Sequence, residues 1–149
     1  MSTGRARRSF SVTLLFASFF GAAMIATAFA YFNFKFSEYK FINFNDWILY
    51  EKKALFSPKA PYYTLLFYNS KTQSPKKILT GKQKYPILAI DFSQNKFDND
   101  NNITYLTAPT NILLSIIQRF NIYEVPSVLI IKQFKESLYK QDSMIQILK

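Results

Sequence analysis

Residues 69–74, Asn-Ser-Lys-Thr-Gln-Ser, leave a run of strand-type residues, Tyr63–Tyr68, and enter Pro75-Lys76-Lys77. A strand handing over to a helix mouth is a common place for chemistry. Ser70, Thr72 and Ser74 attack a substrate only where a base removes the hydroxyl proton. The chain has no His to serve as that base, and Lys71 or Lys76 would need burial to act as one. It has no Cys either. The two absences exclude disulfides, thiol catalysis, imidazole bases and structural zinc. Asp98-x-Asp100-x-Asn102 has the opening spacing of a calcium loop. That loop would need Gly where Ile103 stands and a bidentate Glu where Pro109 stands, so the reading fails. No catalytic residue, metal or cofactor is expected. Asn102-Ile103-Thr104 is a glycosylation sequon, relevant only in a eukaryotic host.

The polar turn must be positioned by a folded unit, and composition shows that one exists. The chain has 149 residues, 49% hydrophobic and 18% aromatic, too apolar for disorder and enough for one domain plus a targeting segment. Only three Gly occur, which argues against a barrel of tight hairpins. With no cysteines, an exported domain must hold together by its core alone. The formal charge is +10. From Tyr31 onward 16 basic and 9 acidic residues remain, and the lysines are scattered. They read as a solvated basic face, or as one that attracts anionic headgroups or an acidic partner.

Phe10–Phe32 carries no charge over 23 residues, and about 20 helical residues cross a bilayer core. Arg5, Arg7 and Arg8 precede it, so the positive-inside rule keeps the N-terminus cytoplasmic. Residues 1–9 are then a basic cytoplasmic segment, 10–32 the transmembrane anchor, 33–38 a linker and 39–149 the exported domain. Alternatively, Ala28-Phe29-Ala30 fits a signal-peptidase site, and cleavage after Ala30 gives a secreted protein. Both readings place the domain on the far side of the membrane, so nucleic acid is not an expected partner.

Along that domain, residues 39–44 read as a strand. Asn45-Asp46 signals the N-cap of a helix over Trp47–Phe56, which Ser57–Pro61 breaks. Tyr63–Tyr68 and Tyr85–Phe92 are continuous apolar runs, as strands buried on both faces are. Pro75 opens a short helix to Leu79. Residues 93–108 form a polar loop with an extended piece at Ile103–Leu106. Thr110 or Asn111 caps a helix to Phe120, and Pro126 opens another strand. Phe134–Tyr139 reads as the last strand and Ser143–Lys149 as a terminal helix. This order implies an α/β sheet covered by helices on both faces.

The order and one segment, Arg119-Phe-Asn-Ile-Tyr-Glu-Val-Pro-Ser-Val-Leu-Ile-Ile-Lys132, resemble the thioredoxin-like superfamily over about residues 39–149. The resemblance implies a central mixed sheet flanked by helices and a cis peptide bond before Pro126. It also implies that residues 69–75 occupy the place of that family's Cys-x-x-Cys turn. Thr72 and Pro75 then stand where the two Cys would be, Lys71 where an aromatic commonly precedes them, and Leu66 where a buried acid often assists the thiol. The helix over residues 47–56 and the terminal helix are both shorter than the family's. Thiol–disulfide exchange requires a thiolate, so a redox-inactive member is expected. What the resemblance leaves is a groove for extended polypeptide, formed by Tyr68, Lys71, Thr72, Tyr123, Val125 and Pro126. The expected role is a protein-binding module: an adaptor, assembly factor or complex subunit. Alternatives are a non-catalytic accessory subunit presenting substrate to an enzyme that matures exported proteins, and a purely structural scaffold.

Overall fold

The computed structural model describes residues 11–38, 41–100 and 102–149, with the side chains of 36–38 outside that description. The basic segment 1–9, Phe10, the first two residues of the expected strand at 39–44, and Asn101 of the polar loop lie outside the described residues. The chain divides into two compact units, Met1–Glu38 and Tyr39–Lys149.

In the first unit, helix α1 runs Val12–Glu38, 27 residues, or about 40 Å at 1.5 Å per residue. Val12–Lys35 is long and apolar enough to cross a membrane or to serve as a signal sequence. Its described side chains are exposed on every side, as on a helix that needs lipid or protein around it. Two hydroxyls in the span bond within the helix, Ser18 to the Leu14 carbonyl at 2.9 Å and Thr27 to Ala23 at 2.8 Å. Satisfying them internally lowers the cost of placing them in hydrocarbon. α1 also continues through residues 33–38, where a linker was expected. That segment has no Gly or Pro to stop it.

The second unit is mixed α/β. Its strands are β1 (Phe41–Asn43), β2 (Tyr50–Glu51), β3 (Ala54–Leu55), β4 (Tyr62–Tyr68), β5 (Ile87–Asp91), β6 (Ile103–Thr107), β7 (Ser127–Lys135), β8 (Leu138–Gln141) and β9 (Gln146–Ile147). Helix α2 (Pro75–Ile78) follows β4, and α3 (Thr110–Phe120) joins β6 to β7. All nine strands belong to one curled sheet of order β1-β8-β7-β4-β5-β6-β2-β3, with β9 also paired to β7. β4, β5 and β6 are mutually parallel, and the other pairings are antiparallel. β4 and β5 are buried along nearly their whole length on both faces, which explains their unbroken apolar runs.

Several expected elements are corrected. The helix over residues 47–56 is instead the β2–β3 hairpin. The Asn45-Asp46 signal is spent on a single turn: Asn43 donates to the Asp46 carboxylate at 2.8 Å and accepts from the Asn45 amide at 3.1 Å. Trp47 and Leu49 then reach the core while Ile48 and Tyr50 stay exposed, a period of two that suits a strand. Tyr50 and Glu51 pair with Thr107 and Leu106, covering the edge of β6. The single strand expected at 134–139 is a hairpin that turns at Glu136, where φ is 42°. The terminal helix is β9: Gln146 and Ile147 pair with Val128 and Ser127, and the Ser143 hydroxyl accepts from the Ile130 amide at 2.8 Å. Pairing the exposed edge of β7 satisfies backbone groups that a helix there would leave open. The extended piece at 103–106 is a full sheet strand. α3 begins after Pro109 with no side-chain cap, so Thr110 and Asn111 are helical rather than capping. It ends at Asn121, which takes the left-handed conformation that Asn tolerates.

The larger core lies on one face, where Leu113, Ile116 and Phe120 of α3 pack on Leu65, Phe67, Leu88, Ile90, Leu129 and Ile131. The void left inside it is about 10 Å³, the lower limit for one water. A smaller cluster on the other face gathers Leu66, Tyr68, Ile87, Ala89 and Ile103 beneath Ile78 and Leu79.

Two core tyrosines also fix the loop before β4. The Tyr63 hydroxyl accepts from the amides of Lys59 and Ala60 at 2.8 and 3.0 Å, and the Tyr139 hydroxyl donates to the Ala60 carbonyl at 2.6 Å. Burial, followed by the neighbouring Tyr63, pushes the Tyr139 hydroxyl up to about 12. An unfolded Tyr ionises near 10, so the folded state holds this proton more tightly. Its contribution is complete below about pH 10 and is lost as pH rises through about 12. Urea titrations at stepped pH should give a flat midpoint up to about pH 10 and a falling one above it. Tyr139→Phe should reduce the fall; a fall unchanged in this variant would contradict the assignment.

Candidate functional site

The carboxyl ends of β4 and β5 leave the sheet together, and hydrogen bonds to one buried carboxylate join them. Asp91, the last residue of β5, is 1% exposed, the only buried charged side chain among the described residues. Its carboxylate accepts from the Ser70 amide at 3.0 Å, the Ser70 hydroxyl at 2.6 Å, the Ser93 amide at 2.9 Å and the Asn95 amide at 3.0 Å. The Ser93 hydroxyl donates to the Asn69 side chain, and the Asn95 side-chain amide to the Ser70 hydroxyl, both at 2.6 Å. A buried charge is tolerated only when paired or fully hydrogen-bonded, and four donors meet that condition here. The Asn69 carbonyl accepts from the amides of Thr72 and Gln73 and from the Thr72 hydroxyl, at 3.0–3.1 Å. Turn 69–74 is thereby closed on itself.

The segment before β7 arrives at the same end of the sheet. Ser127 pairs with Phe67, so Pro126 follows alongside Tyr68, where the turn begins. The Val125–Pro126 peptide bond is cis. The Pro126 carbonyl accepts from the Leu148 amide at 2.8 Å, and the Glu124 carbonyl from the Ser127 hydroxyl. Val125 is half-buried, and among the described residues its own backbone groups take part in no hydrogen bond.

The six residues assigned to a groove therefore differ in availability. Tyr123 is 79% exposed, Lys71 and Thr72 are exposed, and Pro126 is buried. Tyr68 is a correction: it is fully buried in the smaller cluster and offers no surface. Its hydroxyl has no partner among the described residues, and burial, then the Asp91 charge, pushes its ionisation well above the ordinary tyrosine range. The loop with the calcium-like spacing uses its acids on lysines, Asp98 with Lys52 at 3.8 Å and Asp100 with Lys76 at 2.5 Å. No group of three or more potential metal ligands occurs among the described residues.

Sequence reading missed Asp91. Its signal was a lone acid closing an apolar strand, with small polar residues after both strands (Asn69-Ser70 and Ser93-Gln94-Asn95). No family model, curated protein or solved structure matches the chain.

Two substitutions separate the roles of these buried groups. Asp91→Ala removes the acceptor of three backbone amides, those of Ser70, Ser93 and Asn95, and should lower stability by about 1–3 kcal/mol in urea unfolding. The amides of Ser70, Ser93 and Asn95 should lose hydrogen-exchange protection selectively; uniform loss across the sheet would deny the local clamp. Tyr68→Phe removes an unpartnered buried hydroxyl and should be neutral or stabilising by about 1 kcal/mol in the same assay. Destabilisation beyond that would show that the hydroxyl makes an interaction this geometry lacks.

Proposed function

We propose that the chain is a redox-inactive, thioredoxin-like protein-binding module, held by α1 in a membrane with its folded unit on the periplasmic or lumenal side. It acts there as an adaptor, assembly factor or complex subunit that holds an extended polypeptide and performs no chemistry on it. The observation that carries this reading is Val125. A half-buried residue with free backbone donor and acceptor, beside the exposed Tyr123 ring, suits main-chain pairing by strand addition. The thioredoxin-like part is supported by β4 and β5 running parallel and β7 running antiparallel to β4. The hairpin at residues 50–55 and the strand at the C-terminal end depart from that pattern. The lack of Cys and His supports binding without catalysis.

The test replaces Tyr123 with a photo-crosslinking aromatic residue in the full chain, in membranes of the source organism. A discrete adduct is expected, and Thr72→Arg should weaken it about tenfold if the turn borders the bound segment. A crosslinker at Phe97 provides the control. Adducts identical at the two positions, or none at Tyr123, would refute a polypeptide site at this end of the sheet.

A further inference from the structure

The sheet is two-sided in its middle and one-sided toward β1. β1, β8 and the first half of β7 alternate buried and partly open residues, so one face of this region carries the core while the other stays open. An antiparallel face open to water is ordinary when its residues are polar. This one is not polar. Phe41, Ile130 and Leu138 are half-buried on it, and Phe134, 66% exposed, meets the Phe41 ring edge-to-face at 5.3 Å.

The charged residues at the centre of that region are Lys132 and Lys140, with one acid, Asp142, beside them. Phe41 pairs with Lys140, Lys140 with Lys132, and Lys132 with Tyr62, so one level of the sheet reads Phe, Lys, Lys, Tyr across four strands. Residues paired in this way project to the same side. The Lys132 ammonium lies 5.5 Å from the Tyr62 ring centre, and Tyr62 stacks on Tyr85 at 4.7 Å with Lys84 over the far ring at 5.2 Å. Two lysines directly opposite each other on adjacent strands destabilise a sheet, and a single carboxylate, Asp142, stands against the pair. The acids nearest in sequence are Glu136, in the hairpin turn, and Asp142, which lines the shallow hollow of about 350 Å³ between the two lysines.

We propose that the aromatic–lysine row Phe41–Lys140–Lys132–Tyr62 docks on the anionic headgroups of the bilayer that α1 spans. The inference rests on α1 being a membrane anchor. Aromatic rings and the aliphatic stems of lysines fit the headgroup boundary, while ammonium groups meet lipid phosphates. The tether favours this occupant. Residues 39 and 40 alone separate the end of α1 from Phe41, the first residue of the row, so in an anchored chain this residue meets lipid at high effective concentration.

The full chain in nanodiscs, of zwitterionic lipid or of the same lipid with phosphatidylglycerol added, tests this by amine labelling read by mass spectrometry. Labelling of Lys132 and Lys140 should fall about tenfold in the anionic discs and return at high salt. Lys53, at the far hairpin, should not change. Hydroxyl-radical oxidation of Phe134 should fall in parallel, and the K132E/K140E variant, checked for folding by near-UV circular dichroism, should restore it. A chain that fails to enter the discs overturns the anchor and the docking together. An embedded chain whose two lysines label equally in both lipids overturns the docking alone. Protection that follows protein density rather than lipid charge overturns it in favour of a second copy on this face.

Discussion

One buried carboxylate governs how the sheet ends. Asp91 collects donors from the segments that leave β4 and β5, so two parallel strands finish at a common level and their exits stay together. Parallel neighbours lack the tight hairpin that fixes register in an antiparallel pair. Side-chain clamping takes over that role here. The position of turn 69–74, and with it the neighbourhood of Pro126, follows from that clamp.

The sequence exposed the middle of the fold best. β4 and β5 are buried on both faces, so their apolar runs carried no competing pattern, and α3 announced itself by helical spacing of Leu113, Ile116 and Phe120. The edges were hardest. Residues 47–56 carry both a helix-type pair, Ile48 and Leu55, and a strand-type pair, Trp47 and Leu49. Local propensity cannot rank them; the unpaired side of β6 decides for the strand. The same applies to residues 146–147, which become strand because β7 offers an open edge. Long-range pairing is invisible in a single local window.

The site was legible in a similar, partial way. Position along the chain brought residues 69–74 and 123–126 to one end of the sheet, because the alternation of strands sets which ends meet. It gave no warning that Tyr68 points into the smaller core. An aromatic ending a continuous apolar run has no alternation to tell inside from outside. Nor did it reveal that Asn69 and Ser70 bond within the fold. Small polar residues look alike whether they face a ligand or a buried carboxylate.

The two ends of the sheet close it against its own kind. One terminal strand, β3, is two residues long and follows a Lys52-Lys53 hairpin tip; the other, β1, has three residues. Short, lysine-flanked borders are poor templates for edge-to-edge aggregation. Self-association of folded copies begins most readily at unpaired strand edges. The clipped borders of this sheet therefore act as a solubility device, leaving many copies able to crowd together without fusing into a common sheet.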